Sequence, residues 1–224
     1  MSAASVTGQS SAEILQRVQE GVIKFKLKFE PGPAPPVAWL HDLVKWRTIF
    51  WQRGVMGIDP ARYGGVGFGN VSRRLPRDAG RGFVVSASQS AEHASVTAEQ
   101  FVLITDWDIE GNRITAHGCA PPSSESLTHA MVYELNHQIG YVFHVHAPTL
   151  WRAAAALHMP TTAREVEYGT PAMAREVNRL FSGKTKPAHG VFAMGGHEDG
   201  VVSFAADAES AGGALLDLLQ RVGD

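Results

Sequence analysis

An α/β layered domain is the fold class this sequence predicts, and three observations predict it. Helical periodicities and short β-rich runs are interleaved along most of the chain. Hydrophobic residues make up 44% and charged residues 19% of the 224, enough apolar surface for a core and too little charge for a disordered chain. The length lies within the reach of one domain, and the single cysteine, Cys119, excludes an internal disulfide, a CxxC pair and a cysteine zinc cluster. A reducing compartment fits that cysteine usage.

The elements follow in order. Residues 1–12 are small and polar and read as a frayed tail, after which Ile14, Leu15, Val18 and Val22 mark a short amphipathic helix. The proline-rich stretch 30–36, EPGPAPP, is extended and reads as a linker, so residues 1–36 are set apart from a main domain over 37–224. Leu40, Leu43, Val44, Phe50 and Trp51 fall at helical spacing within 37–53, and Gly54 supplies the stop. Four glycines (Gly64, Gly65, Gly67, Gly69) then precede Asn70, and β-rich runs follow at 82–86, 101–105 and 113–116.

Ser123 and Ser124 are good caps for a helix whose apolar stripe is Leu127, Ala130, Met131 and Leu135, with Glu125 in its first turn. The run 141–146 is short enough for a buried strand, and 148–157 returns to helix. A further helix opens at Thr170 and Pro171, turns Met173, Val177, Leu180 and Phe181 inward, and stops at Gly183. Strands at 190–194 and 201–205 lead into a last helix carrying Ala211, Leu215, Leu218, Leu219 and Val222. This pattern leaves the strand order open.

With 20 basic against 22 acidic residues, net −2, the chain has no basic field for a nucleic acid or an anionic membrane. Its opening residues lack the charged and apolar regions of a secretory signal, and no apolar run approaches a membrane span. A cytoplasmic protein is expected, without nucleic acid or membrane partners.

Ten histidines stand out. His144 and His146 are one residue apart on the predicted strand 141–146, so both imidazoles project from one face, as two ligands of one metal ion would. Two histidines satisfied by core hydrogen bonds would show the same spacing. A cupin would place an acidic ligand soon after the pair, but Ala147, Pro148, Thr149 and Leu150 follow. An amidohydrolase barrel needs about 250 residues. A third context asks for an acid on a preceding helix and a histidine well downstream, and Glu125 and His189 meet it.

The ordered motifs GFGNVSRRL, PSSESLTH, YVFHVHAPTLW and AHGVFAMG resemble the class II aldolase/adducin family over roughly residues 37–213. The resemblance implies a three-layer α/β/α domain with a mainly antiparallel central sheet. It implies a divalent metal, usually zinc, held by His144, His146 and the histidine of a later His-Gly pair, His189, with a coordination position left open. Glu125 becomes the general acid/base, and Asn70, Ser123 and Ser124 hold the polar or phosphate end of a substrate. Aldolase-type cleavage or formation of a C–C bond in a small hydroxylated carbonyl compound is the implied activity, and a homotetramer with sites between subunits the implied assembly. Epimerase or dehydratase chemistry, or a non-catalytic adducin-head-like role, stays open at this point.

His129, one turn after Glu125, is in position to orient it. His41, His93, His117, His137, His158 and His197 read as solvated or locally satisfied. Two departures stand against the family pattern. Ser88 is followed by Gln89 where phosphate-handling members carry glycine, which predicts an unphosphorylated or carboxylate-bearing substrate, and no tyrosine follows His189 to serve as a second proton carrier. No GxGxxG spacing supports a dinucleotide.

Overall fold

Among the described residues, strands form in eight segments: β1 (Lys26–Pro31), β2 (Asn70–Arg74), β3 (Phe83–Ser86), β4 (Phe101–Asp108), β5 (Arg113–Gly118), β6 (Tyr141–His146), β7 (Gly190–Ala193) and β8 (Gly200–Ala205). The computed structural model describes residues 21–183 and 185–223, and among these the strands form one sheet in the order β1-β5-β4-β3-β2-β6-β8-β7. Among these strands only β1 and β5 pair in parallel. The mainly antiparallel sheet expected above is therefore the one observed. β1 lies in the stretch before residue 37, so that stretch contributes an edge strand. Of the helix expected at 14–22, Ile14, Leu15 and Val18 lie outside the described residues.

Among the described residues, five α-helices cover the sheet: α1 (His41–Gln52), α2 (Ser126–Leu135), α3 (Pro148–Ala153), α4 (Pro171–Leu180) and α5 (Ala208–Val222). The pleat assigns the faces. On β3, Phe83 and Val85 join a core under α2 and α4, while Val84 between them joins the core under α1, α3 and α5. The layers are helix, sheet, helix, as the apolar alternation requires. Asp207 caps α5 by accepting from the Ser210 amide, and Gly212 lets α5 lie against the Trp46 ring, which a Cβ there would meet at 2.2 Å.

Arg47 of α1 is almost wholly buried, and burial lowers its guanidinium to about 10. It donates to the carbonyls of Ser90 (2.7 Å), Ala94 (3.2 Å) and His93, and so ties down the loop after β3 that carries Ser88 and Gln89.

Candidate metal centre

Three segments converge at the C-terminal end of β6. Along that strand Val142, His144 and His146 share the face turned to α2, while Tyr141, Phe143 and Val145 pack on the opposite core. Register places His144 against Asn70 of β2 and against Val202 of β8, and His146 against Gly200. Because β8 runs antiparallel to β6, the turn that precedes β8 returns to the histidine end, and it brings His197.

The three rings meet through their Nε2 atoms: His146 Nε2 lies 3.1 Å from that of His144 and 3.0 Å from that of His197. All three residues are buried, and each offers a nitrogen within 4.8 Å of the others. Gly200 makes the approach possible, since a Cβ there would stand 2.6 Å from His197 Cδ2 and 3.2 Å from His144 Cε1. Burial first, and then the neighbouring imidazoles, hold His146 and His197 well below the ordinary histidine value; burial lowers His144 to about 4. All three are therefore neutral near pH 7, the protonation state in which imidazole ligates.

The cluster fits a divalent cation. A single N–H on His146 Nε2 can point at only one of its two close nitrogen neighbours, whereas nitrogens about 2.1 Å from one tetrahedral ion stand about 3.4 Å apart, close to the observed spacing. Glu125 completes the setting. It sits at the N-cap of α2 without using its side chain as a cap, and its buried Oε1 lies 3.9 Å from His197 Nε2. Aromatic rings wall the cluster: Tyr63 meets His146 edge-on at 4.6 Å, Phe68 lies 5.3 Å from it, and Tyr168 lies 4.5 Å from His197.

His189, the third ligand expected from the sequence, lies apart from this cluster. His189 is exposed just before β7, beside Phe204, Ala205 and Asp207, at the opposite end of the hairpin. Gly190 pairs with Phe204 while His146 pairs with Gly200, a separation of four residues, about 13 Å along the strand. His197, read from sequence as solvated or locally satisfied, is the buried histidine that joins the pair. The available signal was topological: both histidines precede a glycine-led β run, and only an antiparallel β6–β8 pairing tells which of them faces His146.

Asn70, Ser123 and Ser124 do come together. With Ser88, Gln89, Gly67, Gly69 and Gly21 they line a cavity of about 20 Å³, and Asn70 in its wall lies opposite His144 in the sheet. Ser123 Oγ accepts from the Glu125 amide at 3.2 Å, which fixes the turn into α2. Gln89 adopts a left-handed conformation, φ +58°, the backbone state that favours glycine and the place where the departure from the family pattern was noted. His129 is fully buried; its Nδ1 lies 2.7 Å from Ser72 Oγ, which also meets the Tyr133 hydroxyl at 2.8 Å.

Fold and site together define a class: a three-layer, mostly antiparallel α/β protein with a buried histidine triad able to bind a metal, built at the end of β6 and in the turn before β8. The chain belongs to the class II aldolase and adducin N-terminal domain family, whose profile matches residues 60–211. Among solved structures it is similar to YgbL from Escherichia coli, a proposed aldolase/epimerase/decarboxylase, at 16% identity and a TM-score of 0.59, covering 82% of this chain and 86% of that one. It is likewise similar to L-fuculose-1-phosphate aldolase from Thermus thermophilus, at 16% identity and TM-score 0.58 over 84% and 91% of the two chains. L-fuculose 1-phosphate aldolase from Glaciozyma antarctica follows at 17% and 0.51 over 86% and 75%. At these identities the likeness is one of fold. No curated protein matches the chain. Among the described residues, no helix is long and apolar enough to cross a membrane.

Proposed function

We propose that this protein is a metal-dependent, aldolase-type lyase acting on a small hydroxylated carbonyl compound. The observation that carries the reading is the convergence of three buried, neutral imidazoles beside a buried carboxylate. His144, His146 and His197, the last in place of His189, would hold the divalent ion, and an all-imidazole set suits zinc. Such an ion supplies Lewis acidity to the oxygens of a bound carbonyl substrate.

The chain's own groups do the rest. Retro-aldol cleavage removes the proton of the β-hydroxyl, whose oxygen becomes the carbonyl of one product. It leaves the electron pair of the broken Cα–Cβ bond on the α carbon, which a proton must then reach. Glu125 is the group placed to move it, because its carboxylate does not cap the helix and stands beside the cluster. Asn70, Ser123 and Ser124 orient the substrate's polar end. Tyr63, Phe68 and Tyr168 screen the reacting region from water.

The small cavity narrows the substrate class. Gln89 lines that cavity and takes up space a glycine would leave, which works against the bulk of a phosphoryl group. An unphosphorylated or carboxylate-bearing substrate fits. In this reading the protein is a cytoplasmic homotetramer that needs neither nucleic acid nor membrane. The test is metal analysis of purified protein followed by a turnover screen of phosphorylated and unphosphorylated hydroxycarbonyl compounds. About one zinc per chain and cleavage of an unphosphorylated substrate are expected; absence of metal binding would end the reading. Preference for a phosphate ester by more than about tenfold, roughly 1.4 kcal/mol, would overturn the substrate class.

A further inference from the structure

His197 is followed by Glu198 and Asp199 before Gly200, so two residues separate it from the glycine that a His-Gly pair would place next to it. Asp199 is largely buried and left-handed, φ +66°. Its backbone carbonyl accepts from the amide of Ala147, the residue after His146, at 2.9 Å. Its side chain reaches across the site: Oδ2 accepts from the Tyr63 hydroxyl at 2.6 Å and lies 3.4 Å from the Arg62 guanidinium. Arg62 also donates to the Tyr63 oxygen and lies over the Tyr63 ring, 4.7 Å from its centre.

Tyr63 is itself left-handed, φ +51°, an unfavourable state for an aromatic residue that persists only where surrounding contacts fix it. Its ring meets His146 nearly at right angles, 79°, and Phe68 at 70°. One residue, Asp199, is thus bonded through its backbone to the strand of His146 and through its side chain to the tyrosine that packs on His146, while the same short turn carries His197.

We infer that Arg62, Tyr63 and Asp199 form a clamp that sets the position of His197 against His146, acting as positioning residues for the triad. What the triad does rests on the proposed metal reading; the hold on the turn does not. A charge-assisted phenol-to-carboxylate bond is stronger than the neutral hydrogen bonds that also hold this turn. Other contacts on the turn at 195–200 include its backbone hydrogen bonds, the Thr162 hydroxyl accepting from the Gly195 amide, the Arg62–Asp199 pair and the approach of the His197 ring to His146.

The experiment uses the full chain, with Tyr63→Phe, Asp199→Asn and the double variant. In metal-free protein, hydrogen exchange of the amides at 195–200 is expected to speed up by about tenfold or more in Tyr63→Phe, the loss of one charge-assisted hydrogen bond. The double variant should exchange no faster than Asp199→Asn alone, because both changes cut the same link. Unchanged exchange at 195–200 in both single variants overturns the clamp.

Titration with cobalt(II) alone gives a second readout, which a merely structural role would not move. Affinity is expected to fall by about tenfold or more, with a shifted visible band, while the thermal midpoint of the metal-free variants falls by only a few degrees, the share of one hydrogen bond. Wild-type cobalt affinity and an unshifted band in both variants would also overturn the clamp. Failure of the parent protein itself to bind cobalt, with accelerated exchange in the variants, would strike the metal reading and leave the clamp standing.

Discussion

The two ends of the β7–β8 hairpin carry nearly the same local sequence signal and have opposite fates. At one end His189 precedes Gly190, is exposed, and borders an apolar hollow beside Phe204 and Ala205. At the other, His197 lies in the turn before Gly200, is buried, and meets two more histidines and a carboxylate. A histidine ahead of a glycine-led strand is therefore no site by itself. What makes one is convergence with other ligating groups and removal from water, and here the sheet's strand order supplies both.

Substitution at the two ends is the sharpest way to break that comparison. His197→Ala is expected to abolish stoichiometric zinc binding, as His144→Ala and His146→Ala would, whereas His189→Ala should leave metal content unchanged and stability within about 0.5 kcal/mol, the range of exposed sites. Metal analysis after gel filtration decides it; the converse pattern would restore His189 to the site. Glu125→Gln comes next: turnover should drop by about 10²–10⁴ with metal retained, the size of a lost general acid/base. Loss of the metal with that change would instead make Glu125 a ligand.

A pH titration probes the buried end in another way. Burial lowers His144 to about 4 and His129 to about 3, and holds His146 and His197 well below the usual value. Each group binds a proton more readily in the unfolded chain. Metal-free stability is thus complete above about pH 6.5 and falls as pH drops toward the folded values, by up to about 1.4 kcal/mol per pH unit for each group. Urea midpoints at pH 7.5, 6 and 5 measure this, and removing His197 should flatten the slope. The smallest effect expected is in the small cavity. Gln89→Gly should raise relative kcat/KM for phosphate esters by about tenfold, through relief of a crowded left-handed position and a freer backbone amide. An unchanged ratio would show that Gln89 does not set the preference.

Much of the fold was legible before the structure. The run Tyr141–His146 is a strand with the predicted bounds, because six apolar or aromatic-rich residues between turn signals suit a strand buried on both faces. α4 starts where Thr170 and Pro171 announce it, and Thr170 accepts from the Met173 amide as an N-cap should. β1 was missed because its residues run straight into prolines, and a parallel edge strand needs only part of its backbone bonded. α2 starts two residues later than the serines suggest, because the Ser123 hydroxyl accepts from the Glu125 amide and shapes a turn that precedes the helix.

The sequence by itself determined the α/β class, the shared face of His144 and His146, and the placement of Glu125 at a helix start, since each follows from local periodicity and capping chemistry. Only the tertiary structure decided that β8 lies antiparallel against β6, and with it that His197 and not His189 closes the triad, that Tyr63 and Asp199 meet across the site, and that four histidines are buried deeply enough to be neutral. The reason is physical. Pleat and helix turn act over a few residues, whereas burial and convergence depend on which distant strands pair, and that pairing is settled by the packing of the whole sheet between its two helical layers.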